Sequence, residues 1–172
     1  MVSPAPRLAT RLLLGAIAGA AATLPMTATV RAIHRRLPKG ERYPATPREL
    51  IDSATGESLP DETARDLTLA AHYAYGAATG AMIAAAAPRP SLPAGAAAGV
   101  AVWAASYLGW IPAAGLLKPA TEHPARRNFM MIAAHLVWGA ALALALEELQ
   151  ADRDTIIAPG PDLDMPEELN AA

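Results

Sequence analysis

The sequence predicts an all-α, polytopic membrane protein whose four transmembrane helices form two tandem helical hairpins. Hydrophobic residues make up 53% of the 172 residues, and charged residues only 17%. The apolar residues are concentrated in four runs that lack Asp, Glu, Lys and Arg, at 12–30, 67–87, 93–117 and 128–146. Each run is close to the roughly 20 residues that a helix needs to cross a bilayer. A histidine-containing string also occurs twice, near the start of the second and fourth runs.

The first run follows residues 1–11, which we expect to be disordered because they are short, polar and terminal. Arg7 and Arg11 before an apolar stretch are also typical of a secretory signal peptide. The run continues to residue 30, beyond the usual length of a signal's apolar core, and a basic cluster follows it. This pattern favours a retained transmembrane helix, the first of a membrane domain at residues 12–150.

The longest hydrophilic stretch, residues 31–66, is predicted to be a cytoplasmic loop. Within it, Thr46, Pro47 and Glu49 have the spacing of a capping box, which predicts a short interfacial helix that ends before Gly56. Residues 58–61 carry a second helix-start signal. From there a helix is expected to continue directly into the second apolar run.

The connection to the third helix is short, with Ser91 as its cap and Pro93 in its first turn. Pro112 and Gly115 are expected to loosen the end of that helix. Residues 118–127 form a short polar loop before the last span. Residues 151–172 are acidic, proline-containing and aperiodic, so we expect a disordered tail.

The repeated string reads Ala-His-x-x-aromatic-Gly-Ala-Ala. Its histidine, aromatic and glycine residues lie on one helical stripe, as His72, Tyr75 and Gly76 in the first copy and His135, Trp138 and Gly139 in the second. If the copies are equivalent, the chain consists of two parallel repeats related by an axis along the membrane normal. Chance similarity between helices rich in Ala and Gly is the alternative.

Glycines four residues apart predict where helices pack, because small residues let backbones approach closely in lipid. The expected packing glycines are Gly15 and Gly19, Gly76 and Gly80, Gly95 and Gly99, together with Gly139. We expect these contacts within one bundle. A homo-oligomer, or contact with an unknown membrane partner, is the alternative.

The charge distribution predicts the orientation in the membrane. With four spans, the first and third loops hold ten of the fourteen Lys and Arg residues. The positive-inside rule then places these loops in the cytoplasm and both termini in the periplasm. Arg31, Arg35 and Arg36 are also candidates for contact with anionic lipid headgroups. The sequence has basic loops but no basic domain, so we expect no nucleic-acid partner; the net charge of −2 carries no information on this point.

Some of these features resemble the YagU-like family of small bacterial inner-membrane proteins. The resemblance rests on the first two apolar runs, on the residues from His72 to Gly80, and on Arg126, Arg127 and Asn128 leading into the second string. It implies a helical bundle in the bacterial inner membrane. The resemblance does not identify any catalytic residue in this sequence.

The two histidines are the candidate functional residues, because an ionisable group inside a membrane span is costly. His72 and His135 have three possible roles: hydrogen bonds that fix helix packing, proton or small-solute handling, and ligation of haem or a metal. Tyr75 and Trp138 share their stripe, so they either contact the imidazoles or belong to the interfacial aromatic belt.

The motifs of common enzyme classes are missing from the sequence, including a phosphate-binding loop, H-E-x-x-H and G-x-S-x-G. There is also no cysteine, which excludes disulfides and thiolate-bound metals. We therefore expect no catalytic residue and no cofactor. The predicted function is that of a non-enzymatic, structural or stress-related membrane component whose main partner is the lipid bilayer.

Overall fold

The computed structural model describes residues 7–38 and 60–156, and these residues are 85% helical and contain no β-strand. Four long helices make up most of them: α1 (Leu8–His34), α2 (Asp61–Ala86), α3 (Leu92–Ala113) and α4 (Ala125–Ile156). A 3₁₀ turn (Ala120–Glu122) lies between α3 and α4. The fold class is therefore all-α.

Three of the helices extend beyond the apolar runs. Helix α1 begins at Leu8, α2 begins at Asp61, and α4 continues to Ile156, so parts of the predicted polar flanks are helical. The runs were delimited by apolarity, whereas backbone hydrogen bonds continue a helix into its polar flanks. The predicted helix at 46–55 and the terminal segments 1–6 and 157–172 lie outside the described residues.

Helix α3 is irregular in its second half. It is α-helical to Ala104, then widens into a π-helical segment (Ala105–Trp110) in which Gly109 has non-helical torsion angles, φ −114° and ψ −106°. Pro112 explains this, because it has no N–H for the carbonyl of Leu108 and its ring crowds that carbonyl. The helix ends at Ala113, and Gly115 follows with a positive φ of 70°.

Helices α1 and α2 are antiparallel neighbours whose backbones touch at glycines. Gly15 contacts Gly80, and Gly19 contacts Gly76. A Cβ atom added to Gly15 would lie only 2.5 Å from the carbonyl oxygen of Gly80. Each of these positions is therefore restricted to glycine by the approach of the neighbouring helix.

Helices α3 and α4 repeat this arrangement. A Cβ atom on Gly95 would lie 2.5 Å from the carbonyl oxygen of Gly139, and Gly99 contacts the backbone of His135 and Gly139. All seven glycines expected in packing thus lie at helix contacts. The contacts described here lie within one chain, and a homo-oligomer or an unknown membrane partner stays a prediction.

Helix α4 also packs against α1, which joins the two helix pairs. The core between them contains small residues of α1, such as Ala18 and Ala22, against larger residues of α4: Trp138, Leu142 and Leu146. A second core cluster lies toward the first and third loops and includes Leu37, Tyr107, Ile111, Met130 and Met131. Small side chains on α1 let the bulky side chains of α4 fill the space between the helices.

Many large apolar side chains lie on the outer surface. The most exposed are Leu8, Leu13 and Leu24 of α1, Leu69 and Met82 of α2, Leu108 of α3, and Phe129 and Leu144 of α4. Three helical stretches, Leu8–His34, Leu92–Ala113 and Ala125–Arg153, are long and apolar enough to cross a membrane. Helix α2 is long enough but less apolar, because the polar side chains of His72, Tyr73, Tyr75 and Thr79 lie within it.

Candidate functional site

His72 is half-buried on α2 and faces a threonine of α1. Its Nε2 atom lies 3.3 Å from Oγ1 of Thr27. The Thr27 hydroxyl donates its own hydrogen to the carbonyl oxygen of Thr23, at 2.8 Å. Since that hydrogen is used, Thr27 Oγ1 is the acceptor and Nε2–H of His72 is the donor. A neutral His72 in this tautomer carries its lone pair on Nδ1.

His135 is buried on α4, with only 6% of its surface exposed. Its Nδ1–H donates to the carbonyl oxygen of Met131 at 2.8 Å, which leaves the lone pair on Nε2. The ring of Tyr107, from the π-helical segment of α3, lies perpendicular to the imidazole with ring centroids 6.4 Å apart. His135 is thus held by its own helix and by α3.

The two histidines occupy different positions in the helix pairs. Gly80 lies against both glycines of α1, and Gly139 lies against both glycines of α3, so these two residues are equivalent in packing. By that equivalence His135 corresponds to Gly76 rather than to His72. The residue of α2 that matches a given residue of α4 by glycine contacts therefore lies four positions, about one helical turn, after the residue that matches it in the repeated string.

Trp138 is almost fully buried, at 2% exposure, and it ties α4 to α1. Its indole Nε1–H donates to the carbonyl oxygen of Gly19 at 3.1 Å. The same oxygen accepts a hydrogen bond from the Thr23 hydroxyl at 2.9 Å. The indole therefore makes its hydrogen bond with the backbone of α1, and the buried position differs from that of an interfacial belt residue.

Tyr75 connects α2 to α3. Its hydroxyl lies 2.7 Å from Oγ of Ser106, and Ser106 itself donates to the carbonyl oxygen of Val102 at 2.7 Å. Tyr75 is therefore the donor to Ser106. Its ring also lies beside Trp110, with centroids 6.2 Å apart. Both contacts involve the π-helical segment. This segment therefore contacts Tyr75 of α2 through Ser106 and Trp110, and His135 of α4 through Tyr107.

The basic cluster lies at the end of α1. Arg31, Arg35 and Arg36 are exposed, and Arg35 Nε donates to the carbonyl oxygen of Arg31 at 3.2 Å. Positive side chains at a helix C-terminus also interact favourably with the helix dipole. Contact of this cluster with lipid headgroups stays a prediction.

The partners of the candidate residues were not predicted from the sequence. Thr23 and Thr27 are two of the three threonines in the first apolar run, and their spacing of four residues is a signal for one polar helix face. Ser106 and Tyr107 lie in the π-helical segment of α3, and both are buried. Within residues 7–38 and 60–156, no three His, Cys, Asp or Glu side chains come together as metal ligands. Haem or metal binding by the two histidines stays a prediction.

The fold and these contacts define a helical protein with three helices suited to crossing a membrane. No family model, curated protein or solved structure matches the chain. The resemblance to the YagU-like family therefore stays a prediction. Any proposal about function has to rest on the geometry of the chain itself.

Proposed function

We propose that this chain is a four-span protein of a bacterial inner membrane, with α2 as the fourth transmembrane helix. The proposal rests on the observation that each of the four helices contains a stretch without Asp, Glu, Lys or Arg. These four stretches together are called the belt below. In α2 the belt covers residues 67–86. At about 1.5 Å per residue, this part of α2 is about 30 Å long, the thickness of the hydrocarbon core.

The surface of α2 supports the same placement. Leu69 and Met82 are 56% and 63% exposed, as lipid-facing side chains would be. Two polar side chains of α2 form hydrogen bonds within the protein instead: the Thr79 hydroxyl donates to the carbonyl oxygen of Tyr75, and His72 bonds to Thr27. Internal hydrogen bonds allow polar groups to reside in a membrane span.

Within that membrane we propose a non-enzymatic, structural or stress-related role. The polar side chains of the belt hold neighbouring helices together, as in the Trp138–Gly19 and Tyr75–Ser106 hydrogen bonds. The glycine contacts add close backbone packing. This arrangement is suited to forming one stable bundle in contact with lipid.

Topology mapping with introduced cysteines tests the four-span proposal. The chain has no native cysteine, so there is no background labelling. An impermeant maleimide applied to spheroplasts is expected to label Ser3→Cys and Ser91→Cys. Thr121→Cys should react only after permeabilisation. If Ser3→Cys and Ser91→Cys react from opposite sides, α2 does not cross the membrane and the proposal fails. If both react only after permeabilisation, the orientation is inverted.

The structural role is tested by His72→Gln and His135→Gln, with His123→Gln in the third loop as the control. We expect both belt variants to lower membrane abundance and thermal stability in detergent, because each removes a hydrogen bond inside the bundle. The control should behave like the unsubstituted protein. Full abundance and stability of both belt variants would contradict the structural role.

Proton or small-solute handling is the second candidate. It is favoured by the presence of two imidazoles inside the belt, each with one lone-pair nitrogen. Proteoliposomes loaded with a pH-sensitive dye test this role. A flux that disappears in the double histidine variant, while the bundle stays folded, would support it. No flux across a panel of ions and protons would remove it.

A further inference from the structure

A groove of about 450 Å³ lies at the end of the bundle opposite the long first loop. One wall is formed by the α2–α3 connection and the start of α3, including Arg89, Ser91 and Leu92. The other wall is the end of α4, including Leu144 and Glu147. The groove is separate from the two histidines, and none of the contacts described above uses it.

A buried glutamine holds the groove's arginine in place. Gln150 is 4% exposed and accepts a hydrogen bond from Arg89 Nε at 2.8 Å. Its amide nitrogen donates to the carbonyl oxygen of Pro88 at 2.6 Å. The bond from Nε orients the guanidinium group of Arg89. The connection and its positive charge are therefore fixed against α4.

The groove is lined by side chains of both charges and by apolar side chains. Arg89 and Glu147 supply the opposite charges, whereas Leu92 and Leu144 are 50% and 52% exposed. Glu147 is the first charged residue after the apolar run 128–146. In the proposed topology, the groove therefore lies where lipid headgroups meet acyl chains.

We propose that this groove binds a phospholipid with a zwitterionic headgroup that ends in a primary ammonium, as in phosphatidylethanolamine. The phosphate is placed at Arg89 and Ser91, the ammonium at Glu147, and an acyl chain along Leu92 and Leu144. A primary ammonium donates hydrogen bonds to a carboxylate, whereas the quaternary ammonium of a choline lipid cannot. A glycerol headgroup offers Glu147 no positive charge. The inference rests on the proposed insertion in a membrane.

Native mass spectrometry of the full chain in detergent tests this inference. The protein is offered equal amounts of phosphatidylethanolamine, phosphatidylcholine and phosphatidylglycerol with identical acyl chains. We expect retention of the ethanolamine lipid to exceed that of the other two by about fivefold, which is the scale of one interfacial ion pair. Equal retention of all three lipids, or a preference for phosphatidylglycerol, would overturn the inference.

Variants assign the headgroup contacts. Glu147→Gln should abolish the preference, and Glu147→Asp should keep it because the charge remains. Glu148→Gln is the matched control, since this neighbouring carboxylate does not line the groove. Arg89→Gln should weaken retention of all three lipids through their shared phosphate. If Glu148→Gln lowers the preference as much as Glu147→Gln, the groove is not the binding site.

Carbonate extraction of membranes separates this inference from the proposed function. Wild-type protein that stays in the membrane but shows no lipid preference refutes only the groove assignment. Wild-type protein that is released refutes the membrane proposal, and the groove assignment with it.

Discussion

Gly95→Ala is the sharpest test of the packing between α3 and α4. The added Cβ atom would lie 2.5 Å from the carbonyl oxygen of Gly139 and 2.7 Å from Cβ of Ala143. Ordinary contact begins at about 3.4 Å, so the helices have to separate by about 0.9 Å at this point. A gap of that size removes about a quarter to a half of the dispersion attraction across the affected interface.

The expected loss of unfolding free energy is the difference between two opposing contributions. Overpacking of this kind costs about 1–3 kcal/mol, and the better helix propensity of alanine returns up to about 1 kcal/mol. Because the added Cβ meets backbone, the upper part of the overpacking range, about 2–3 kcal/mol, applies. The net destabilisation is then about 1–2 kcal/mol, which should lower Tm by about 2–8 °C for a chain of this size. Near-ultraviolet circular dichroism during heating in detergent measures this shift through the buried aromatic residues.

Ala97→Val is the control, because Ala97 lies on the exposed face of the same helix. It adds more volume than Gly95→Ala without meeting another helix, so its Tm should stay within about 1 °C of the unsubstituted value, as for most surface substitutions. If Gly95→Ala melts at the same temperature as Ala97→Val, the close contact between α3 and α4 is refuted.

Three further predictions address the buried polar groups. Trp138→Phe should cost about 1 kcal/mol of unfolding free energy because it removes the bond to Gly19. Trp103 Nε1 has no hydrogen-bond partner among the described residues, so Trp103→Phe should cost less in the same detergent unfolding assay. Equal losses would contradict the Trp138 bond. Tyr75→Phe should cost about 0.5–1 kcal/mol, and its effect should vanish in a Ser106→Ala background if the two hydroxyls are bonded. The visible spectrum of the purified protein should be featureless, and a haem band that is lost in the double histidine variant would instead make the histidines axial ligands.

The helices could be predicted from the sequence, because apolar runs and helix-start signals are local features of the chain. The glycines were also accessible, since a spacing of four residues marks one helix face before any partner is known. The less apolar character of α2 follows from its own polar residues. Helix α3 shows a limit of the prediction: Pro112 predicted a loosened helix end, but not the π-helical segment in which Ser106 and Tyr107 are buried.

The partner of a buried polar group could not be predicted, because it lies far away along the chain. The Trp138 indole bonds to Gly19, 119 residues earlier, and Tyr75 bonds to Ser106 on another helix. Such pairings depend on which helices are neighbours and on their relative rotation. Neither quantity is encoded in one helix's own pattern.

The repeated string illustrates the same point, and it leads to a last prediction. Sequence similarity pairs His72 with His135, whereas the glycine contacts pair His135 with Gly76. The two histidines therefore lie in unequal surroundings. His135 is buried and its backbone contacts Gly99, while His72 is half-buried and bonds to a side chain of α1.

Unequal surroundings imply unequal effects of the same substitution. A lost hydrogen bond in a membrane bundle costs about 0.6 kcal/mol on average, and a change of side-chain shape at a well-packed buried position adds about 1–3 kcal/mol. His135→Gln should therefore lower Tm in detergent more than His72→Gln, because replacing the buried imidazole disturbs both Met131 and the Tyr107 ring. Two equivalent histidines in a true repeat would give equal shifts. Equal shifts in both variants would mean that the string, and not the glycine contacts, defines which residues correspond.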